Sequence, residues 1–297
     1  MSKKTVAIFT FLYQPALTPD QEISIRHLNH FLGKYDKFAC VPAGSGYSLP
    51  GFKTLEFSPR YFRSVKDNAD LLMARELFEA FSDYEYMLQY ELDALALSDN
   101  LEYWLKQGYD YIGAPWIKAH MIKPYPYPAD SVGCSGFSLK RVSAFLRIIK
   151  SREHPWRSIG KLWKTMTPAS PLPLSQMGEG GKRLGTGNSD KINSTNKLID
   201  TFKKSIDIWS NACGRSKLIE DRFWSWKGNL YYPDFKIAPV RDALKFAFEI
   251  APEKCLSLNG GKLPFGAHAW FRYGRAFWEP YLLSANSPPL MGGVRGG

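Results

Sequence analysis

Two acidic residues follow a run of apolar and aromatic residues near the middle of the chain. Glu91 and Asp93 stand at positions i and i+2, so in extended backbone their carboxylates point to the same side. Hard cations such as Mg²⁺ and Mn²⁺ prefer carboxylate oxygens and bridge substrate phosphates. Such a triplet is common by chance, but this one directly follows a predicted strand, where α/β sheets bind their ligands. We therefore predict a Mn²⁺ or Mg²⁺ site at Asp93 and Glu91.

A second acidic pair, Glu220 and Asp221, precedes the aromatic residues Phe223 and Trp224. A carboxylate beside a surface on which a sugar ring can stack is suited to act as a general base for a hydroxyl group. Acidic residues are also favourable in the first turn of any helix, without a chemical role. The pattern by itself leaves both interpretations open.

His268 lies in a loop bounded by glycine and proline, at 263–270. A neutral imidazole in such a loop can ligate a metal or contact a phosphate. A single histidine is more often a packing or surface residue. Only its combination with the two acidic pairs makes His268 a candidate for one of these roles.

Weaker signals surround these residues. Lys66 and Asn68 lie just before and at the start of a predicted helix, and they are candidates to contact a diphosphate. Gly133 and Gly136 are close enough together either to form a turn or to let a substrate approach the backbone. The chain contains no GxxxxGK[ST], GxGxxG or GxSxG motif. These absences argue against a P-loop enzyme, a classical dinucleotide-binding enzyme and an α/β-hydrolase.

The elements that would position these residues alternate along the chain. Hydrophobic patterning predicts strands at 5–11, 37–42, 53–57, 84–90, 109–113 and 137–139, and helices at 23–32, 68–81, 101–107, 141–150, 219–226 and 239–249. Alternating strands and helices are typical of an α/β fold with a mostly parallel central sheet flanked by helices. Glu91 and Asp93 would then lie at the carboxyl edge of that sheet.

Composition is consistent with a packed globular protein, because 44% of the 297 residues are hydrophobic. The net charge of +11 is scattered along the chain and accompanies no nucleic-acid-binding motif, so we expect no nucleic-acid partner. The four cysteines are widely separated, which favours free thiols and a cytoplasmic location. No stretch is long enough for a membrane span, which leaves a peripheral membrane contact open.

Two segments, at 170–181 and 287–297, repeat the same order of Ser-Pro, Leu, Met-Gly and Gly-Gly. Neither has the hydrophobic periodicity needed to pack into a core. We predict a disordered insertion at 167–204 and a low-complexity tail at 284–297. The remaining residues within 1–283 would form a single domain that the insertion interrupts.

Several segments resemble a family of GT-A-type glycosyltransferase-like proteins that is largely catalogued as a domain of unknown function. The resemblance covers most of the chain, and it is carried by residues 82–94, 109–116, 132–139, 220–224, 236–239 and 264–270. It implies a GT-A-like, Rossmann-like fold with a DxD-type motif. Asp93 matches the second acid of that motif, whereas Glu91 stands where the first aspartate is expected.

The resemblance implies a metal-dependent glycosyltransferase that moves a sugar from a nucleotide-sugar donor to a hydroxyl group of a carbohydrate or other acceptor, with inversion. Asp221 or Glu220 would be the catalytic base and His268 would complete the metal site. The implied ligand contacts extend beyond these residues. The donor would contact Tyr13, Lys66, Asn68 and Asp93. The acceptor would contact Trp116, Gly136 and Trp224, although the two tryptophans could equally be core residues.

Two other functions remain compatible with the sequence. A nucleotidyltransferase on a related sheet would use the same Asp93 and cation but would release pyrophosphate from a nucleoside triphosphate. A noncatalytic carbohydrate-binding relative would bind sugar without metal-dependent turnover. Product analysis and sugar binding in the absence of metal separate these alternatives.

Overall fold

The computed structural model describes residues 3–117, 131–164, 189–212, 220–285 and 287. The strands are β1 (Lys4–Phe11), β2 (Asp36–Pro42), β3 (Lys53–Phe57), β4 (Tyr84–Tyr90), β5 (Leu95–Ala96), β6 (Tyr111–Trp116), β7 (Ser131–Arg141), β8 (Ala247–Phe248) and β9 (Gly266–Ala267). The helices are α1 (Pro19–Leu32), α2 (Val65–Leu72), α3 (Arg75–Ala80), α4 (Leu101–Lys106), α5 (Val142–Glu153), α6 (Pro155–Lys164), α7 (Ser189–Ala212), α8 (Glu220–Tyr231), α9 (Val240–Phe246), α10 (Pro252–Leu258) and α11 (Arg275–Trp278).

A mostly parallel sheet forms the centre of the fold, in the strand order β3-β2-β1-β4-β7-β6. Strands β1 to β4 run parallel where they pair, and β7 is antiparallel to both β4 and β6. The predicted α/β class is therefore confirmed. Because the first four strands share one direction, their carboxyl ends lie along one edge, and Glu91 and Asp93 follow β4 at that edge.

Both faces of the central sheet are buried, as expected for strands covered by helices on two sides. Val6 and Ile8 of β1 pack with α1 and α4 on one face. Ala7 and Phe9 alternate with them and pack with α2, α3 and α5 on the other face. Phe145 of α5 lies in the second core, where its ring is 4.5 Å from that of Trp224.

A second, smaller sheet has the order β5-β9-β8. Strand β9 is antiparallel to β5 and parallel to β8. The residues that precede β5, follow β8 and follow β9 are consequently neighbours at one end of this sheet. That geometry brings three distant parts of the chain together at the edge of β4.

The structure differs from the predicted elements in several places. The end of the helix predicted at 239–249 forms the short strand β8, because the backbone becomes extended at Ala247. The helix predicted at 68–81 is divided into α2 and α3, because the backbone of Ala74 is extended. The predicted turn at 133–136 is part of β7, where the register against β6 shifts next to Ala114. Helix α7 occupies 189–204, so the prediction of disorder does not hold there; the rest of the predicted insertion from 167 and most of the predicted tail lie outside the described residues.

None of the helices in the described ranges is long and apolar enough to span a bilayer. The described cysteines Cys40, Cys134 and Cys255 are free thiols, as predicted, and Cys213 lies outside the described residues.

His27 anchors the C-terminal part of the chain to α1 in a way that predicts acid sensitivity. Its Nε2 atom accepts a hydrogen bond of 3.0 Å from the backbone N–H of Leu283, so the proton of the neutral ring is on Nδ1, 2.8 Å from the carbonyl of Ala96. Burial lowers the pKa of His27 to about 4, whereas the Ala96 carbonyl opposes that shift, and His30 and Arg26 add to it.

As the pH falls, His27 gains its proton at a higher pH in the unfolded chain than in the folded protein. His27 therefore contributes fully to stability above pH 6.5 and loses that contribution as the pH falls toward 4. We expect its share of the unfolding free energy to fall by about 2–3 kcal/mol between pH 7 and pH 4.5. Urea denaturation of wild type and His27→Gln at both pH values measures this share. An equal loss of stability in both proteins would contradict the assignment.

Candidate active site

Three residues from the small sheet meet beside the end of β4. Asp93 precedes β5, Glu249 follows β8 and His268 follows β9. The backbone N–H of His268 donates to the carbonyl of Phe248, and that of Trp270 donates to the carbonyl of Asp93. Backbone hydrogen bonds therefore hold the imidazole of His268 between two carboxylates.

Each ring nitrogen of His268 faces acidic oxygen atoms. Nε2 lies 3.2 Å from Oδ1 of Asp93 and 3.4 Å from Oε2 of Glu91. Nδ1 lies 3.1 Å from Oε1 of Glu249 and 3.0 Å from Sγ of Cys134. The structure thus brings together all three predicted metal ligands and adds two residues that the sequence did not single out.

Electrostatics favour the charged imidazolium in this arrangement. Burial alone would lower the pKa of His268, but Cys134 and the hydrogen-bonded carboxylates of Asp93 and Glu249 raise it well above its ordinary value. Burial also opposes ionisation of Asp93, yet His268 and Arg272 hold the pKa of that carboxyl below its ordinary value. Without a cation, His268 therefore balances the negative charge of the site.

The oxygen and nitrogen atoms on the Nε2 side suit a divalent cation. One ligand atom from each of Glu91, Asp93 and His268 lies within 4.8 Å of the others. Oδ1 of the buried Asp93 faces Nε2 of His268 and receives no hydrogen bond from any other described residue. Two carboxylates and one imidazole are ligands that Mn²⁺ and Mg²⁺ accept. These residues therefore fit the predicted metal ion. To bind that ion, Nε2 of His268 must lose its proton.

Gly136 provides the space that the imidazole occupies. A Cβ atom at this position would lie 2.1 Å from Nε2 of His268. The carbonyl of Gly136 also accepts a hydrogen bond of 2.8 Å from the backbone N–H of Glu91. Gly136 was predicted to contact an acceptor, but its visible role is to let His268 approach the β7 backbone.

A cleft of about 490 Å³ opens beside Glu91 and Asp93. Its other walls are the end of β1, the beginning of α2 and the segment after His268, and its lining includes Phe11, Tyr13, Phe62, Arg63, Ser64, Asn68 and Arg272. The predicted donor contacts Tyr13, Asn68 and Asp93 all line this cleft.

Lys66 does not line the cleft. Its side chain is exposed and lies 3.7 Å from Asp70, one helical turn further along α2. Arg63 occupies the lining position instead, before the N-terminus of α2. The structure therefore places Arg63, rather than the predicted Lys66, on the wall of the cleft.

The second acidic pair begins α8, and its two members have different environments. Glu220 is buried, and its Oε2 accepts a hydrogen bond of 3.1 Å from Oγ of Ser135. Burial raises the pKa of Glu220 above its ordinary value, although Lys140 opposes the shift. Asp221 is half-buried, and its Oδ1 accepts a hydrogen bond of 2.6 Å from the backbone N–H of Arg222.

A buried polar chain connects this region to the predicted metal site. Lys140, fully buried in β7, donates a hydrogen bond to Oε1 of Gln89. Nε2 of Gln89 donates a hydrogen bond of 2.9 Å to Oε1 of Glu91. Burial lowers the pKa of Lys140, while Glu220 opposes that shift. The positions of Glu91 and Glu220 are thus linked through β4 and β7.

The two tryptophans predicted to bind an acceptor are buried instead. Trp224 is 0% exposed and packs in the core against Phe78 and Phe145. Trp116 is 6% exposed, and its ring meets that of Trp226 edge to face. Trp224 is therefore a core residue, because α8 turns that side chain toward α3 and α5, and Trp116 presents little surface to any ligand.

Glu249, Cys134, Lys140 and Arg272 join the site without having been predicted. Glu249 follows a two-residue strand and Cys134 lies in an irregular one, where hydrophobic periodicity carries little information. Lys140 continues the alternation of β7 and resembles a surface residue in sequence. Arg272 comes four residues after His268 in the sequence, and this short separation was the signal that could have identified it.

Glu249 is placed to orient His268. A carboxylate that accepts the Nδ1 proton of a metal-bound histidine fixes its tautomer and directs Nε2 to the metal. We expect Glu249→Gln to weaken Mn²⁺ binding by about 10–100-fold. Calorimetric titration with Mn²⁺ measures this effect, and the exposed Glu253→Gln variant is the matched control. Equal Mn²⁺ affinity in the two variants would exclude an orienting role for Glu249.

Comparison with solved structures identifies proteins of similar shape at low identity. The galactosyltransferase LgtC, in complex with donor and acceptor sugar analogs, has 10% identity, with 95% of this chain and 97% of that chain covered and a TM-score of 0.44. The apo-form glycosyltransferase GlyE of Streptococcus pneumoniae TIGR4 has 10% identity, with 95% of this chain and 61% of that chain covered and a TM-score of 0.39. At these TM-scores the likeness carries no functional assignment.

Sequence comparison identifies the family. No curated protein matches the chain. A family model described as a protein of unknown function, DUF5672, matches residues 51–268. The matched region is more than half of the chain and contains Glu91, Asp93, Glu249 and His268. The chain therefore belongs to the DUF5672 family.

Proposed function

We propose that this protein is a metal-dependent glycosyltransferase of the GT-A type, which moves a sugar from a nucleotide-sugar donor to an acceptor hydroxyl group. The observation that carries the proposal is the position of Glu91 and Asp93. These carboxylates face His268 on one side and line the 490 Å³ cleft on the other. A cation held there would meet the phosphates of a ligand in the cleft.

Each part of the cleft matches a part of a nucleotide-sugar. Glu91, Asp93 and His268 would hold Mn²⁺ or Mg²⁺, which supplies charge stabilisation for a departing nucleoside diphosphate. Arg63 and Arg272 bring positive charge to the same cleft. Tyr13 and Phe62, whose ring centroids are 5.9 Å apart, offer aromatic surface in the same cleft.

Asp221 is the proposed general base. Its carboxylate would accept the proton of the acceptor hydroxyl as that oxygen bonds to the anomeric carbon, and direct displacement of this kind inverts the configuration. Asp221 is half-buried, so an acceptor can approach it, whereas Glu220 is 4% exposed and hydrogen-bonded to Ser135. Glu220 would instead position α8 against β7.

The first experiment is a calorimetric titration of the protein with UDP, GDP, CDP and dTDP, each with Mn²⁺ and with EDTA. We expect one nucleotide to bind only with Mn²⁺, which would define the donor class and direct an acceptor screen. Binding of none of the four would contradict the proposal and favour a noncatalytic carbohydrate-binding relative.

A nucleotidyltransferase would also bind nucleotides at Asp93 with a cation. Chromatography of the reaction products separates the two enzymes, because a glycosyltransferase releases a nucleoside diphosphate from a nucleotide-sugar. Release of pyrophosphate from a nucleoside triphosphate would replace our proposal with the nucleotidyltransferase.

A further inference from the structure

The Nδ1 side of His268 has a different chemical character from the Nε2 side. The thiol of Cys134 and the carboxylate of Glu249 both face Nδ1, at 3.0 and 3.1 Å. One ligand atom from each of Cys134, Glu249 and His268 lies within 4.8 Å of the others. A sulfur atom is thus part of a second potential cation site that shares only His268 with the first.

The three side chains are held by separate strands. Cys134 is in β7, Glu249 follows β8 and His268 follows β9, and a hydrogen bond from the backbone N–H of His268 to the carbonyl of Phe248 joins the last two segments. Oε2 of Glu249 is buried and has no hydrogen-bond partner within the described part of the chain. A carboxylate oxygen with an unused lone pair is therefore available beside the thiol and the imidazole.

This set of ligand types favours a borderline or soft cation. Zn²⁺ binds cysteine sulfur at about 2.3 Å, histidine nitrogen at about 2.0 Å and carboxylate oxygen at similar distances. Ligand atoms around such an ion are more than 3 Å apart on geometric grounds, so the present contacts need to widen by only a few tenths of an ångström. Mg²⁺ and Mn²⁺ prefer oxygen ligands and gain little from a thiolate.

We propose that Cys134, Glu249 and His268 form a second cation site that binds Zn²⁺. Binding releases the thiol proton of Cys134 and the Nδ1 proton of His268 to solvent, because a metal replaces protons on its ligands. Solvent molecules would complete the coordination of the ion. The site lies at the Nδ1 side of the imidazole, whereas Asp93 lies at the Nε2 side.

Occupation of this site would also affect the proposed glycosyltransferase. This consequence, unlike the site itself, rests on the proposed function. A neutral imidazole has one nitrogen that carries a proton and one that carries a free lone pair. With Zn²⁺ on Nδ1, Nε2 carries the proton and cannot ligate the cation at Glu91 and Asp93. Zn²⁺ would therefore act as an inhibitor that competes with Mn²⁺ for His268.

Co²⁺ is the probe that reports this site directly, because a bond between Co²⁺ and a thiolate produces a charge-transfer absorption in the near ultraviolet. We expect that absorption when the full chain is titrated with Co²⁺, and displacement of the signal by Zn²⁺. The test variant is Cys134→Ser, which keeps the size of the side chain. The matched control is Cys255→Ser, because Cys255 is also buried but its thiol faces the carbonyl of Ile250.

The expected result is loss of the absorption in Cys134→Ser and its retention in Cys255→Ser and Asp93→Asn. Absence of the absorption in wild type, or its persistence in Cys134→Ser, would overturn the proposal. The Co²⁺ signal does not depend on nucleotide binding. If the Co²⁺ absorption is seen but no nucleotide binds with Mn²⁺, the second cation site stands and the proposed function fails. If a nucleotide binds with Mn²⁺ but the Co²⁺ absorption is absent, the proposed function stands and the second site fails.

Discussion

Asp93→Asn should remove the Mn²⁺-dependent component of nucleotide binding, so that the variant binds with Mn²⁺ no more tightly than wild type does with EDTA. The physical reason is that Asp93 is the buried member of the predicted ligand set, with Oδ1 3.2 Å from Nε2 of His268 and Oδ2 3.5 Å from Nη2 of Arg272. An amide has the same shape but lacks the charge that binds a hard cation. Calorimetric titration with the nucleotide that wild type selects measures the effect.

The control for Asp93→Asn is Asp70→Asn, on the exposed surface of α2. Asp70 contacts Lys66 at 3.7 Å and does not line the cleft, so its replacement should leave binding unchanged. Thermal unfolding of both variants shows whether the fold is retained. Metal-dependent binding by a folded Asp93→Asn protein would exclude Asp93 as the ligand that connects the cation to the nucleotide.

The sequence was informative wherever the end of a single strand determines the position of a functional residue. Apolar residues at 84–90 are followed by Glu91 and Asp93, and the carboxyl end of a parallel strand is the expected location of a ligand site. The continuous run of buried residues in the second part of β1 likewise requires that both faces of the sheet are covered. The α/β class and the position of Asp93 were predictable for these reasons.

Sequence patterns were less informative where the site depends on contacts between distant elements. Strands β5, β8 and β9 have two residues each, which is too short to show the period-2 alternation of a strand. No local pattern could therefore place Glu249 beside His268. Helical periodicity also does not specify which neighbouring element a residue faces, and for this reason Trp224 was predicted at a ligand surface although it packs in the core.

The two acids of α8 illustrate how burial separates residues that look equivalent in sequence. Burial raises the pKa of Glu220 above its ordinary value, and Lys140, whose own pKa is lowered by burial, is its nearby cationic partner. A carboxyl group with a raised pKa and a hydrogen bond from Ser135 is suited to a structural role. Burial raises the pKa of Asp221 only to about 6, because the backbone N–H of Arg222 opposes the shift.

The proposed base therefore predicts different outcomes for two isosteric variants. Asp221→Asn should reduce kcat by about 10²–10⁴-fold, the range for loss of a general base, while the affinity for the nucleotide stays within the error of the measurement. Glu220→Gln should reduce the thermal stability more than Asp221→Asn does, because Glu220 is buried against Ser135. Steady-state kinetics, nucleotide titration and thermal unfolding of both variants separate these effects.

The pH dependence of turnover provides the stricter test of Asp221. A base must be deprotonated to accept a proton, so kcat/KM should be constant well above pH 6, reach half of its maximum near pH 6 and fall tenfold per pH unit well below it. In Asp221→Asn the remaining activity should lose this acidic limb, because the group that titrates is absent. Retention of the same limb in Asp221→Asn would assign the titration to another residue and remove Asp221 from the role of base.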